Sequence, residues 1–197
     1  MLITVASFKG GVGKTTTAVH LATYFQLKSP TLLIDGDPNR SATSWGRRGE
    51  LPFTIIDERG AARHARDFKH IIIDTEARPD EEDLKSLVDG CDLLVIPTVP
   101  EALAIDALLL TVEALKKINA TNYKILLTMV PSRPSRDGEE ARSMLVGRSL
   151  PVFKSEISRL VAFQKASLAG VTVNLVKDPR APAAWSSYEN VGKEILK

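Results

Sequence analysis

Cysteine is nearly absent: Cys91 is the only one in 197 residues. That excludes an internal disulfide and any zinc or iron–sulfur site built from four cysteines of one chain. Cys91 precedes Asp92-Leu93-Leu94-Val95-Ile96, the entry to a buried strand, where an inert thiol is expected. A dominant charge is lacking as well. The 26 basic and 24 acidic side chains leave a formal +2, too little to diagnose nucleic-acid binding, so only the distribution of charge could do so. No apolar run approaches the length of a bilayer-crossing helix, and the first strand pattern begins at Leu2, with no stretch laid out like a secretory signal before it. The expectation is a cytoplasmic protein with no membrane segment and no N-terminal helix-turn-helix domain. What the chain does have is the balance of an ordinary globular protein, 44% hydrophobic and 25% charged, at a length that suits one α/β domain spanning 1–197.

The apolar run Leu2-Ile3-Thr4-Val5-Ala6-Ser7 leads into Lys9-Gly10-Gly11-Val12-Gly13-Lys14-Thr15-Thr16, and helical spacing follows, with Ala18, Leu21, Ala22 and Phe25 predicted on one buried face. Strand, glycine loop and helix in that order form the context of a phosphate-binding loop. Glycines let successive N–H groups turn inward, and the helix adds its positive end. Such a nest suits a polyphosphate. Lys14 is placed for the outer phosphates, the Thr15 hydroxyl for a magnesium ion, and Thr16 for the inner phosphates.

Two further apolar runs deliver acids at their carboxyl ends, where ligands bind in open α/β sheets. Thr31-Leu32-Leu33-Ile34 ends in Asp35, with Asp37 two residues on. His70-Ile71-Ile72-Ile73 ends in Asp74-Thr75, a Walker B pattern in which Asp74 holds magnesium through water and Thr75 begins a second switch. His70 itself reads as a surface residue. Between and beyond these runs the pattern predicts a short helix over 41–45 capped by Asn39 or Ser41, with Trp45 in packing, an edge strand over 53–56 and a charged helix over 58–67. Strands over 92–97 and 123–128 flank a long helix over 101–119. A polar loop over 130–136, a last short strand over 151–153 and helices over 157–168 and 185–196 complete the reading. Alternation of strand and helix implies a three-layer α/β/α P-loop NTPase fold with a mostly parallel sheet.

The loop departs from the usual Gly-x-x-x-x-Gly-Lys-Ser/Thr, because Phe8 holds the first glycine's position and Lys9 stands at the front. In this it resembles the deviant Walker loop, Lys-Gly-Gly-x-Gly-Lys-Ser/Thr, of the ParA/MinD family of ATPases. Asp35-Gly36-Asp37-Pro38-Asn39 resembles that family's Asp-x-Asp-Pro switch, and the likeness extends over nearly the whole chain. The resemblance implies ATP and Mg2+ as cofactors and a homodimer that sandwiches ATP, with Lys9 reaching into the partner subunit's nucleotide. It implies catalytic roles for Lys9, Lys14 and Asp37, the last orienting the attacking water, and a metal site at Thr15, Asp35 and Asp74. Gly10, Gly11, Val12, Gly13, Lys14, Thr15 and Thr16 would bind the phosphates, and Thr128, Met129 and Pro131 would line the adenine. Residues 97–105 would contribute to the dimer face. One departure concerns the second switch, where Asp74-Thr75-Glu76-Ala77-Arg78-Pro79 replaces the family's Asp-Thr-Pro-Pro.

Small ParA-type proteins position a cargo over the nucleoid, and the resemblance implies the same here: nonspecific DNA binding that depends on ATP, and slow hydrolysis stimulated by an adaptor. The adaptor would be ParB-like for a plasmid or chromosome, or McdB-like for a carboxysome. The basic residues Arg133, Arg136, Arg142, Arg148, Lys154, Arg159 and Lys165 concentrate in the second half, and Arg133, Arg136, Arg159 and Lys165 are the candidates for DNA phosphates. Asp137, Glu139, Glu140 and Glu156 are interspersed, as on a solvated face. Neither terminal segment has the pattern of an amphipathic membrane tether. The expected location is the cytoplasm, at the nucleoid. The alternatives are a metabolic P-loop ATPase or ligase and a nucleotide-dependent scaffold without turnover; a reductase with a subunit-bridging cluster would need two cysteines per chain.

Overall fold

The computed structural model describes residues 1–77 and 81–197. In chain order the elements are β1 (Leu2–Ser7), α1 (Lys14–Gln26), β2 (Thr31–Gly36), α2 (Ser41–Arg47), β3 (Thr54–Asp57), α3 (Glu58–His64) and β4 (His70–Ala77). Then come α4 (Glu81–Asp89), β5 (Leu93–Thr98), α5 (Ala102–Lys117), β6 (Tyr123–Leu127), α6 (Asp137–Gly147), α7 (Val161–Ala169) and α8 (Ala181–Ile195), with 3-10 turns at Ala65–Asp67 and Val173–Leu175. The six strands lie in the order β3-β2-β4-β1-β5-β6, and every pairing is parallel.

Parallel strands are covered on both faces, so they are apolar in succession rather than in alternation. Side chains still point to opposite sides in turn. In β6, Leu126 joins the cluster under α1, α7 and α8, together with Ile3, Val5, Leu33 and Ile72. Its neighbours Ile125 and Leu127 join the cluster on the other face, with residues of α4, α5 and α6 such as Leu84, Leu108 and Leu145. These two clusters are the outer seams of the three layers.

α1 is buried more completely than its spacing predicted. All nine residues from Thr17 to Phe25 are buried, because the sheet lies under one face and α8 crosses the other. Gly192 of α8 sits so close to Tyr24 that a Cβ there would overlap the ring. The polar residues of α1 are satisfied inside: the Thr23 hydroxyl donates to Val19 O at 2.8 Å, and the Thr17 hydroxyl meets the Tyr188 hydroxyl at 3.1 Å.

Several expectations are corrected. Residues 151–153 make only a single bridge, Ile125 to Val152, since Pro151 has no N–H to extend a ladder. The helix expected over 157–168 begins only at Val161, because the preceding segment is extended: Ile157 O accepts from Val130 N at 2.9 Å and Arg159 N donates to Val130 O at 2.8 Å. α2 is not capped by Asn39 or Ser41; its cap position is Arg40 at φ 53 with no side-chain cap. His70 is buried rather than on the surface, with its ring 4.8 Å from that of Phe25. α4 and α6 were not read from the sequence; α6 opens with Asp137, Glu139 and Glu140 in its first turn, a favourable placement at the positive end of a helix. The second-switch residues Arg78 and Pro79 lie outside the described residues.

Candidate nucleotide-binding site

β1 is flanked by β4 and β5 at the middle of the sheet, and the glycine loop leaves its carboxyl end. Gly11 has φ 77 and Gly13 has φ 84, the left-handed region that side chains disfavour. Gly13 occupies the cap position of α1, so the free N–H groups of the first turn open onto the loop. A cavity of about 390 Å³ covers it, lined by Gly10, Gly11, Gly13, Lys14, Thr15, Thr16, Asp37, Asn39, Ser41 and Met129. Val12 faces the other way, packed with Val99 and Ala104. Its carbonyl lies 2.8 Å from the Thr128 hydroxyl, which also lies 3.0 Å from Thr98 O. Val12 is thus an anchor for the loop, and Thr128 is the peg. Lys9 stands at the rim, its ammonium 3.8 Å from Glu101 at the head of α5.

The three acids differ in what they hold. Asp35 is fully buried, and its Oδ2 accepts from the Thr43 N–H at 2.8 Å and the Thr43 hydroxyl at 2.6 Å. Its Oδ1 accepts from the Asp37 N–H at 3.3 Å. Asp35 thus shapes the switch through both oxygens, with acceptor capacity left on Oδ1. Asp37 accepts from the Asn39 N–H and Nδ2, both at 3.0 Å, and from the Ser41 hydroxyl at 2.8 Å. Burial pushes its pKa up, but these hydrogen bonds and the Lys14 charge outweigh it and hold the carboxyl below its usual range.

Asp74 pairs in register with Asp35 on one side and Val5 on the other. It is fully buried, and neither carboxylate oxygen has a hydrogen-bond partner of good geometry among the described residues. Burial pushes its pKa up to about 7; the nearby Thr15 hydroxyl and Lys14 pull it down, while Asp35 adds to the rise. Among the described residues no cluster of three His, Cys, Asp or Glu forms a complete metal cage. An orphaned buried carboxylate beside a threonine hydroxyl at a phosphate nest nevertheless fits Mg2+, a hard cation commonly held by one or two protein oxygens with phosphates and water completing its shell.

A second cavity, of about 540 Å³, opens from the loop at Gly13 and Thr16. Thr128 and Met129 line it, whereas Pro131 lines neither cavity. The rest of its wall was missed: Ile157, Ser158, Arg159, Leu160, Phe163, Gln164 and Tyr188 among others. Ile157, Leu160 and Phe163 carry helical spacing and read as core, so no local signal marked them. Arg159 thus lines this wall. The other expected DNA contacts are ion-paired. Arg133 and Arg136 reach Glu139 at 3.8 and 3.5 Å, and Lys165 reaches Asp178 at 2.7 Å. Arg142 is similarly held by Glu156 at 2.9 Å.

A glycine loop at a helix N-terminus, fed by the central strand of a parallel sheet and flanked by carboxylates of two neighbouring strands, defines a P-loop nucleotide-binding protein. The chain belongs to the CobQ/CobB/MinD/ParA nucleotide-binding domain family, whose model matches residues 3–173. It is 33% identical to the maintenance of carboxysome distribution protein A of Gloeobacter kilaueensis, over 98% of this chain and 93% of that one. Its fold resembles a plasmid partition protein of Borrelia burgdorferi bound to AMPPNP, with TM-score 0.77 and 20% identity, covering 99% and 98% of the two chains. It also resembles an aspartate-to-alanine variant of Cyanothece McdA in complex with ATP, with TM-score 0.76 and 19% identity, covering 99% and 95%. Membership in this family implies an ATPase.

Proposed function

We propose that the protein is an ATP-dependent positioning ATPase that dimerises around ATP, retains nonspecific DNA in that state, and is returned to the monomer by hydrolysis that an adaptor protein accelerates. The observation that carries the reading is the near full-length likeness to a carboxysome distribution protein, joined to a loop that keeps Lys9 in front of the phosphate nest. A carboxysome-like protein body is the cargo this likeness favours, with an McdB-like adaptor; a plasmid with a ParB-like adaptor is the form suggested by the Borrelia neighbour.

In this reading Gly10 to Thr16 hold the triphosphate, with Lys14 on the outer phosphates and the base in the cavity walled by Met129 and Phe163. Asp37 is a carboxylate at neutral pH because its hydrogen bonds and Lys14 favour the ionised form, so it accepts a proton or a hydrogen bond from the attacking water. Lys9 is the donor a partner subunit would receive. Mg2+, held by Thr15 and through water by Asp74, supplies charge neutralisation on the phosphates when bound. Phosphoryl transfer then depends on positioning and electrostatics more than on covalent help.

The test is phosphate release from ATP, measured alone, with nonspecific duplex DNA, and with the product of the neighbouring gene. A slow basal rate raised by both additions supports a positioning ATPase. Turnover indifferent to both supports a metabolic P-loop enzyme, and no turnover at all supports a scaffold.

A further inference from the structure

α2 is a short helix tied at both ends to different parts of the nucleotide site. At its start, the Ser41 hydroxyl donates to Asp37 Oδ2 at 2.8 Å, and Thr43 donates twice to Asp35 Oδ2. At its far end the Trp45 indole N–H donates to Val171 O at 3.0 Å. Arg48 Nε donates to Ser167 O at 2.8 Å, and its Nη2 reaches the Ser167 hydroxyl at 3.3 Å. Two glycines let the backbones touch there: a Cβ on Gly49 would lie 2.5 Å from Ala169 O, and one on Gly170 would overlap Gly49. Ser167 belongs to α7, whose inner side walls the larger cavity with Phe163, Gln164 and Leu168. A cavity of about 370 Å³ lined by Thr15, Thr16, Ser44 and Arg48 lies between α2 and the first turn of α1, while Trp45 meets the His20 ring one turn further on.

We propose that α2 is a strut between the base cavity and the Asp37 loop, and that Arg48 is the positioning residue that transmits base occupancy to Asp37. A base seated against Phe163 and Leu168 fixes α7. Through the two Arg48 hydrogen bonds and the Gly49–Gly170 contact, α7 then fixes the far end of α2. The near end carries Ser41 and Thr43, which hold the two switch aspartates. Arg48 is hydrogen-bonded to Ser167 of α7, so its effect is expected as a dependence of turnover on the base. The inference rests on Asp37 acting in hydrolysis, as proposed above.

The experiment compares maximal phosphate release from saturating Mg-ATP with that from saturating magnesium tripolyphosphate, which offers the phosphate chain without a base. Wild type is expected to turn ATP over about tenfold faster, a coupling of ordinary size. In Arg48→Met, ATP turnover falls to within about twofold of the tripolyphosphate rate, the tripolyphosphate rate itself stays unchanged, and ATP affinity is retained. Trp45→Phe, which removes the indole N–H together with part of the buried ring at the same junction, moves turnover in the same direction and serves if Arg48→Met fails a thermal-unfolding check. Equal losses on both substrates, which a merely structural role would produce, overturn the proposal, as does a wild type that does not discriminate between them. Absence of any hydrolysis by wild type instead defeats the ATPase reading on which the proposal rests.

Discussion

Acidification should destabilise this protein through one buried imidazole. His20 lies in the middle of α1 with no exposed surface. Its Nδ1 is 2.7 Å from Thr16 O, and a carbonyl only accepts, so Nδ1 carries the proton. Nε2 accepts from the Val173 N–H at 3.1 Å. The ring stacks on Tyr188 at 4.9 Å and meets the edges of Phe163 at 5.3 Å and Trp45 at 5.8 Å. The groups facing it are neutral: burial pushes the Tyr188 phenol above its ordinary range, and the other rings do not titrate. A second proton would have to displace Val173 from Nε2 and place a charge among these rings. Burial accordingly lowers the His20 pKa to about 4, the Thr16 hydrogen bond acting in the opposite sense.

Between about pH 4 and 6.5 the unfolded chain thus binds a proton that the folded protein refuses, and stability falls as pH drops through that window. From the reference value for histidine, the loss is about 2 kcal/mol at pH 5 and about 3 kcal/mol at pH 4. Asp74 acts in the opposite direction, since its raised pKa lets the folded protein take up a proton before the unfolded chain does. The measurement is therefore the difference between wild type and His20→Asn. Urea denaturation followed by the fluorescence of Trp45 and Trp185 serves as the assay, from pH 8 to pH 5. At pH 8 the variant should be less stable by about 2 kcal/mol, for the lost hydrogen bond and ring contacts. That gap should close by about 2 kcal/mol at pH 5, because the variant has no imidazole to protonate. A gap that stays constant, or a His20 ring that titrates near 6.5 by NMR, refutes the reasoning.

Other changes address the site and its frame. Lys9→Ala should leave ATP affinity within about threefold and lower dimer-linked turnover by about tenfold or more, read from nucleotide binding and from phosphate release against protein concentration; lost affinity with intact turnover per bound ATP would mean the loop has been misread. Asp74→Asn should remove most of the magnesium dependence of ATP affinity, so that titrations with Mg2+ and with EDTA converge; a variant that keeps the full magnesium effect removes Asp74 from the metal site. Gly170→Ala should cost about 2 kcal/mol or more in thermal unfolding, because φ is 70 and the added carbon overlaps Gly49. Arg159→Ala should weaken ATP binding about threefold to tenfold while leaving DNA retention in place; the reverse outcome would return Arg159 to a DNA face.

What could be read from the residues alone was whatever the chemistry demands locally. Gly11 and Gly13 are glycines because the nest needs positive φ, and Lys14 and Thr15 follow at the offsets that a triphosphate and a metal dictate. Three consecutive isoleucines ending in Asp74 announce a strand covered on both faces. What escaped depends on partners distant in the chain. The segment 157–160 runs extended because it pairs with Val130, and no periodicity within it reports that pairing. The basic concentration is legible locally, whereas its pairing is not. Lys165 finds Asp178 thirteen residues away, and Arg142 finds Glu156 fourteen away. His70, next to Lys69, is covered by Phe25, forty-five residues earlier in the chain.

The burial of α1 from Thr17 to Phe25 has a consequence for hydrogen exchange. Amides enclosed between the sheet and α8 are released to solvent only when the protein opens globally, so the middle of α1 should be among the slowest-exchanging segments of the chain. The helix end that receives phosphate is therefore rooted in the least yielding part of the molecule. Whatever a nucleotide changes here must be expressed in the segments around that fixed end, and deuterium uptake with and without ATP should differ in α2 and α7 while the buried stretch 17–25 of α1 stays silent.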